Sequence, residues 1–187
     1  MPVFTRRLPA EADAPVDGEL RLPFDARVKS RARWSVARGV LAGRDVGLDL
    51  PRGAVLRDGD RVGTEDGTAT LRVAAATEQL LHVRARDAVS LARLAYHLGN
   101  RHVPVQVGED ASGGWLRLQL DHVLEHMVHG LGGAVEVVSA PFEPESGAYA
   151  GGHVHHGHAD ADPTQGGRAP DGRHAPRIHD FTEPGPT

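Results

Sequence analysis

Tyr96-His97-Leu98-Gly99-Asn100-Arg101-His102-Val103-Pro104-Val105-Gln106 decides how the second half of the chain is built, because a helical period runs into it and a strand period runs out of it. Upstream, Leu91, Leu94, Ala95 and Leu98 recur at i, i+3, i+4 and i+7, the stripe of a helix buried on one side. Gly99 can take the left-handed conformation that closes a helix, and Asn100 is the next best residue for it, which predicts a helix over 88–98. Arg101 and His102 then emerge at the start of a strand over 102–107, so that His102 is expected between two rigid elements.

Working outward, residues 80–84, 115–120 and 134–139 read as further strands and 123–131 as a second helix. The order is β-α-β-β-α-β, which predicts a ferredoxin-like α+β domain over residues 78–150, with two helices on one face of a four-stranded antiparallel sheet. Residues 108–114 form the hairpin loop between the middle strands, Asp121 is the expected N-cap of the second helix, and Gly130, Gly132 and Gly133 supply its stop. On that helix His122, His126 and His129 fall at i, i+4 and i+7, with Val123, Leu124, Met127 and Leu131 as the expected apolar side. Histidines at i and i+4 can clip a metal, but without a third ligand a polar helix face is the simpler reading for His126 and His129. His82 reads as a plain strand residue, and His97 serves structural hydrogen bonding as readily as metal contact.

Residues 1–77 are predicted to form a small all-β domain. After a polar lead-in, alternating segments at 19–26, 32–37, 45–50 and 69–75, with Val55, Leu56 and Val62, are separated by Gly39, Gly43, Gly53, Asp58-Gly59 and Asp66-Gly67. Arginines alternate with apolar residues in Leu20-Arg21-Leu22 and Leu71-Arg72-Val73, the pattern of a solvated sheet face; a docking surface for an acidic partner is the other reading.

From Gly151 the composition changes to Gly and Pro with few large apolar residues, which predicts a disordered tail over 151–187. Within it Gly152-His153-Val154-His155-His156-Gly157-His158 is a His-rich tract, a compositional sign of metal binding, and neutral imidazole suits nickel, copper and zinc. The chain has no cysteine, so a thiolate site, an iron-sulfur cluster and a disulfide framework are excluded. The net charge of −4 argues against nucleic acid; protonating all 12 histidines would carry it to about +8, which makes charge unusually sensitive to pH and metal. No apolar segment follows Met1-Pro2-Val3-Phe4 and no run approaches a membrane span, so a soluble cytoplasmic protein with no membrane partner is expected. No nucleophile beside a base, no phosphate loop and no helical zincin motif of two His and a general-base Glu is recognised, so an enzyme is not expected.

The run from Tyr96 to Gln106 resembles the most recognisable segment of the UreE family of urease accessory proteins. Leu22-Pro23-Phe24-Asp25-Ala26-Arg27-Val28-Lys29-Ser30-Arg31, Leu50-Pro51-Arg52-Gly53, Asp121-His122-Val123-Leu124 and Pro141-Phe142-Glu143-Pro144-Glu145-Ser146-Gly147-Ala148-Tyr149 are similar to the family in the same order. The resemblance implies a nickel metallochaperone, working as a homodimer in which His102 of each subunit meets its mate near a two-fold axis and shares one Ni²⁺. It implies an accessory ligand role for His122, although Leu120 stands where some members carry another His. It also implies partners, the urease accessory GTPase UreG and the apo-urease maturation complex, and a first domain given to protein contacts. His153, His155, His156 and His158 are expected to complete the coordination or to act as a tethered antenna, and Zn²⁺ or Cu²⁺ can substitute in vitro. The competing expectation is a metal buffer or store that does not deliver.

Overall fold

Buried residues alternate with polar ones along the first half of the chain, and the strands they define close over one apolar cluster. These strands are β1 (Val3–Leu8), β2 (Gly18–Leu22), β3 (Arg31–Ser35), β4 (Arg38–Gly39), β5 (Asp45–Asp49), β6 (Arg61–Thr64) and β7 (Thr70–Ala75). The computed structural model describes residues 1–9 and 15–146. The strands form one seven-stranded sheet in the order β3-β5-β1-β6-β7-β2-β4, and Phe4, Leu20, Val46, Val62, Leu71 and Val73 meet in its core.

Two expectations for this half are corrected. The polar lead-in contains β1, which lies inside the sheet, parallel to β5 and antiparallel to β6. Its signal is weak because Phe4 is its one fully buried side chain while Arg6 and Arg7 point to solvent. The segment 19–26 is not one strand: Pro23 carries no N–H, and its carbonyl accepts from the amides of Ala26 and Arg27 at 3.0 and 3.2 Å, turning the chain into the one-turn helix α1 (Phe24–Arg27).

The second half contains β8 (Thr77–Arg84), α2 (Ala88–Gly99), β9 (Gln106–Asp110), β10 (Gly113–Gln119), α3 (His122–Gly130) and β11 (Ala134–Pro141). The four strands form an antiparallel sheet in the order β11-β8-β10-β9. Leu81, Val83, Leu116 and Leu118 on one face of this sheet share a cluster with Leu94 and Leu98 of α2 and Leu124 and Val128 of α3. The expected stripe on α2 is therefore the buried one. On α3, Val128 occupies the core place expected of Val123, which is 62% exposed, because Leu124 and Val128 at i and i+4 set the buried line. The strand expected at 102–107 begins only at Gln106, for reasons of backbone conformation given below. It runs on to Asp110, so the hairpin loop expected over 108–114 is cut to Ala111 and Ser112 by the pairing of Gly113 with Asp110.

The two sheets belong to one compact unit, Met1–Ala150, and meet at a small junction of Phe24, Leu80 and Phe142, the two rings edge to face at 5.4 Å. Arg27 is fully buried there. Its Nη1 donates to the Leu56 carbonyl at 3.1 Å, and its guanidinium also bonds the Phe142 carbonyl and the Glu143 carboxylate. Glu143 in turn accepts from Arg57 at 3.3 Å and from the Asp58 amide at 3.2 Å. Among the described residues no helix is long and apolar enough to cross a membrane. The protein is thus a two-part, mostly β chain with few helices; the tail expected to be disordered, with His153, His155, His156 and His158, lies outside the described residues.

Candidate metal centre

The helix that carries the chain to His102 is fixed at both ends. At its start the Asp87 carboxylate accepts the Ser90 amide at 2.7 Å, and that bond, with a second from the Ser90 side chain, holds the Asp87 carboxyl below its usual range. In the middle, Leu94 and Leu98 are buried against the sheet. At the end the ladder tightens: Arg101 N–H donates to Leu98 O at 3.0 Å and His102 N–H to Gly99 O at 2.9 Å, both i to i−3. The Arg101 guanidinium then covers the His97 carbonyl at 3.0 Å.

The residue that turns the chain is His102 itself. Gly99 is the last helical residue and Asn100 the C-cap at φ −63°, whereas His102 has φ 55° and is the one non-glycine residue with positive φ among the described residues. The helix does stop at Gly99 and Asn100 as expected, but the left-handed conformation expected of these two is corrected, since it falls on His102. The expected strand start is corrected too, since a left-handed residue with a proline, lacking an N–H, two positions on does not continue directly into a ladder. Left-handed backbone at a residue with a Cβ costs on the order of 1 kcal/mol or more and persists only where its surroundings over-determine it. Here Val103 and Val105 pack against the core of the second sheet, and the Val105 carbonyl accepts the Glu145 amide at 2.8 Å.

The His102 side chain, by contrast, is exposed and makes no hydrogen bond or ion pair with any described residue. Its neighbour up the helix, Tyr96, is 65% exposed and lies edge-on to the His97 ring at 5.5 Å. A fixed backbone with a free imidazole offers one nitrogen lone pair to a metal.

His122 opens α3. Asp121 caps it, accepting from the amides of Val123 and Leu124 at 2.8 and 3.0 Å, as its place in the sequence predicts. His122, His126 and His129 are all exposed, and His129 Nε2 lies 3.9 Å from Glu125 Oε1. His122-Val123-Leu124-Glu125-His126 has the inverted spelling of the helical zincin motif, which the usual order of two His and a Glu does not reveal. Among the described residues no three His, Asp or Glu side chains converge on one point there, whereas a catalytic zinc takes three protein ligands.

His82 is buried, as a strand residue rather than a ligand. Its Nδ1 accepts from Arg117 Nε at 3.1 Å, its ring leans on Trp115 at 5.3 Å, and Glu136 lies 4.0 Å from Nε2. Burial first, then the nearby guanidinium charges of Arg117 and Arg84, lowers its pKa from 6.5.

Of the sequence-predicted ligands, His102 thus sits on the exposed turn after α2 and His122 at the exposed start of α3, and the four tail histidines lie outside the described residues. One feature that sequence reasoning missed is the strap formed by Phe142–Ser146. Its Glu143 and Glu145 amides bond Gln106 Oε1 at 3.1 Å and Val105 O, tying the root of the tail to the segment that follows His102. The Pro141-Phe142-Glu143-Pro144-Glu145 motif was its only sequence trace.

Comparison with known proteins agrees with this layout. Residues 4–76 match the family model described as UreE urease accessory protein, N-terminal domain, and residues 78–174 that of the C-terminal domain. The chain is 46% identical over 160 residues to the urease accessory protein UreE of Dechloromonas aromatica (strain RCB), covering 86% of this chain and 89% of that one. With the namesake from Pseudomonas fluorescens (strain Pf0-1) it shares 49% over 164 residues, 87% and 88% of the two chains. With that of Burkholderia pseudomallei (strain 1710b) it shares 56% over 139 residues, 74% of this chain and 64% of the other. The chain belongs to the UreE family of urease accessory proteins.

Proposed function

We propose that this protein is a cytoplasmic nickel metallochaperone for urease maturation, and that it works as a homodimer with His102 of both subunits on one Ni²⁺. The observation that carries the reading is the conformation of His102: an exposed, unpaired imidazole on a left-handed turn braced from both sides. A side chain used only for packing gains nothing from that strain, whereas a ligand gains orientation. One imidazole holds a metal poorly, and a two-fold axis doubles it without further sequence. The second domain, with its split β-α-β-β-α-β order, is read as ferredoxin-like, the rigid platform for this turn.

The tail histidines His153, His155, His156 and His158 are assigned the remaining coordination positions, shared with water. The eight residues from Glu145 to His153 span at most about 28 Å, and the three from Val105 to His102 about 10 Å, so the tether is long enough for its own subunit's turn. Ligands on such a tether are monodentate and exchangeable, which suits release to a partner, namely UreG and the apo-urease complex. His122 is assigned an accessory ligand role. Imidazole and water do not by themselves select nickel over Cu²⁺ or Zn²⁺, so selectivity rests on supply and partner.

The test separates delivery from storage. Protein loaded with one equivalent of Ni²⁺ per dimer is mixed with metal-free UreG, the two are separated, and nickel is counted on each. Delivery predicts movement of most of the metal to UreG and loss of that movement in His102→Ala. Nickel that stays behind in both proteins would leave a buffer, not a chaperone.

A further inference from the structure

We propose that His122 and His126 form a bis-imidazole clip for a divalent transition-metal ion on the outer face of α3, a site separate from His102. The proposal deepens the accessory role assigned to His122 and rests on that reading only for the participation of His122. Residues at i and i+4 of a helix have Cβ atoms about 5–6 Å apart, a span that two imidazoles close onto one ion at about 2.0–2.1 Å. Both side chains are exposed, and neither has a hydrogen-bond or ion-pair partner among the described residues.

The neighbours decide which pair on the helix is the clip. His129 lies 3.9 Å from Glu125, so these two have each other, while the Asp121 carboxylate accepts from the Val123 and Leu124 amides. That leaves His122 and His126 as the free donors. The positive end of the helix dipole disfavours a cation near His122, and the Asp121 carboxylate at the same end offsets it. The helix itself is held by Leu124 and Val128 in the core, so the pair is aligned before any metal arrives.

The class of ion is a borderline cation that accepts imidazole and water, with Cu²⁺ bound more tightly than Ni²⁺. The site would hold it weakly, with water in the other positions.

The test is metal protection of individual histidines against carbethoxylation, read by peptide mass on the full-length chain with Cu²⁺ or Ni²⁺ alone as probe. His122 and His126 are expected to become protected with a common midpoint. In His126→Ala, whose exposed side chain bears no load, His122 should lose its protection while His102 keeps its own; in His102→Ala the pair should remain protected. Protection of His122 that survives His126→Ala, or vanishes with His102→Ala, would overturn the clip, as would an unprotected pair at saturating Cu²⁺. A protected pair beside an unprotected His102 would instead leave the clip standing and contradict the shared His102 centre.

Discussion

Arg27 and His102 occupy opposite extremes of the same molecule. Arg27 is a charge taken wholly out of water at the junction of the two sheets, and it is met there by two carbonyls and a carboxylate. His102 is exposed on a left-handed backbone, and its side chain has no hydrogen-bond or ion-pair partner among the described residues. Burial of a charge is tolerable only with partners, so the first region is explained by the fold it completes. Backbone strain at a side chain with no partner among the described residues has no such explanation, and it is this contrast that the proposed ligand role of His102 answers.

The largest effect should come from breaking the first region. Arg27→Ala removes a buried ion from its carboxylate and carbonyl partners and should cost about 3–5 kcal/mol, read as a fall in the urea midpoint. Next in size, Asp121→Ala removes the cap of α3 and should cost about 1 kcal/mol, with faster amide exchange at Val123 and Leu124. The sharper comparison is His102→Gly. Glycine relieves the left-handed turn but loses more chain entropy on folding, so the net change should be a gain of no more than about 1 kcal/mol, while the proposed metal ligand is lost. A large destabilisation there would make His102 a structural residue like Arg27.

The smallest effect is confined to acid. The folded pKa of His82 lies below 6.5, so the unfolded chain takes up a proton that the folded chain resists. The contribution of His82 is complete above pH 6.5 and is lost as pH falls below it, toward the folded pKa; below that it changes no further. His82→Leu should therefore flatten the acid slope of unfolding free energy and leave the slope above pH 7 unchanged.

Local periodicity made much of this fold legible. The α2 stripe of Leu94 and Leu98, the Asp121 cap and the order of elements after residue 77 all rest on neighbours a few residues apart. What was not legible depended on distant partners or on a single dihedral. Nothing in the sequence around Arg27 shows that its partners are Leu56, Phe142 and Glu143, and Val3–Leu8 is a strand because β5 and β6 flank it. At the candidate site, the place of His102 just beyond α2 was readable from its motif, but its conformation was not. Glycine and asparagine are better left-handed residues, and the chain spends that conformation on histidine instead.

The central claim is that His102 from two subunits holds one nickel. Titration of Ni²⁺ into the full-length protein and its His102→Ala form, with dimer mass checked on each, tests it most directly. The account predicts one tight site per dimer that disappears in His102→Ala while the dimer and the weaker sites remain. A tight site that survives the substitution, or a stoichiometry of one tight nickel per subunit, would contradict it.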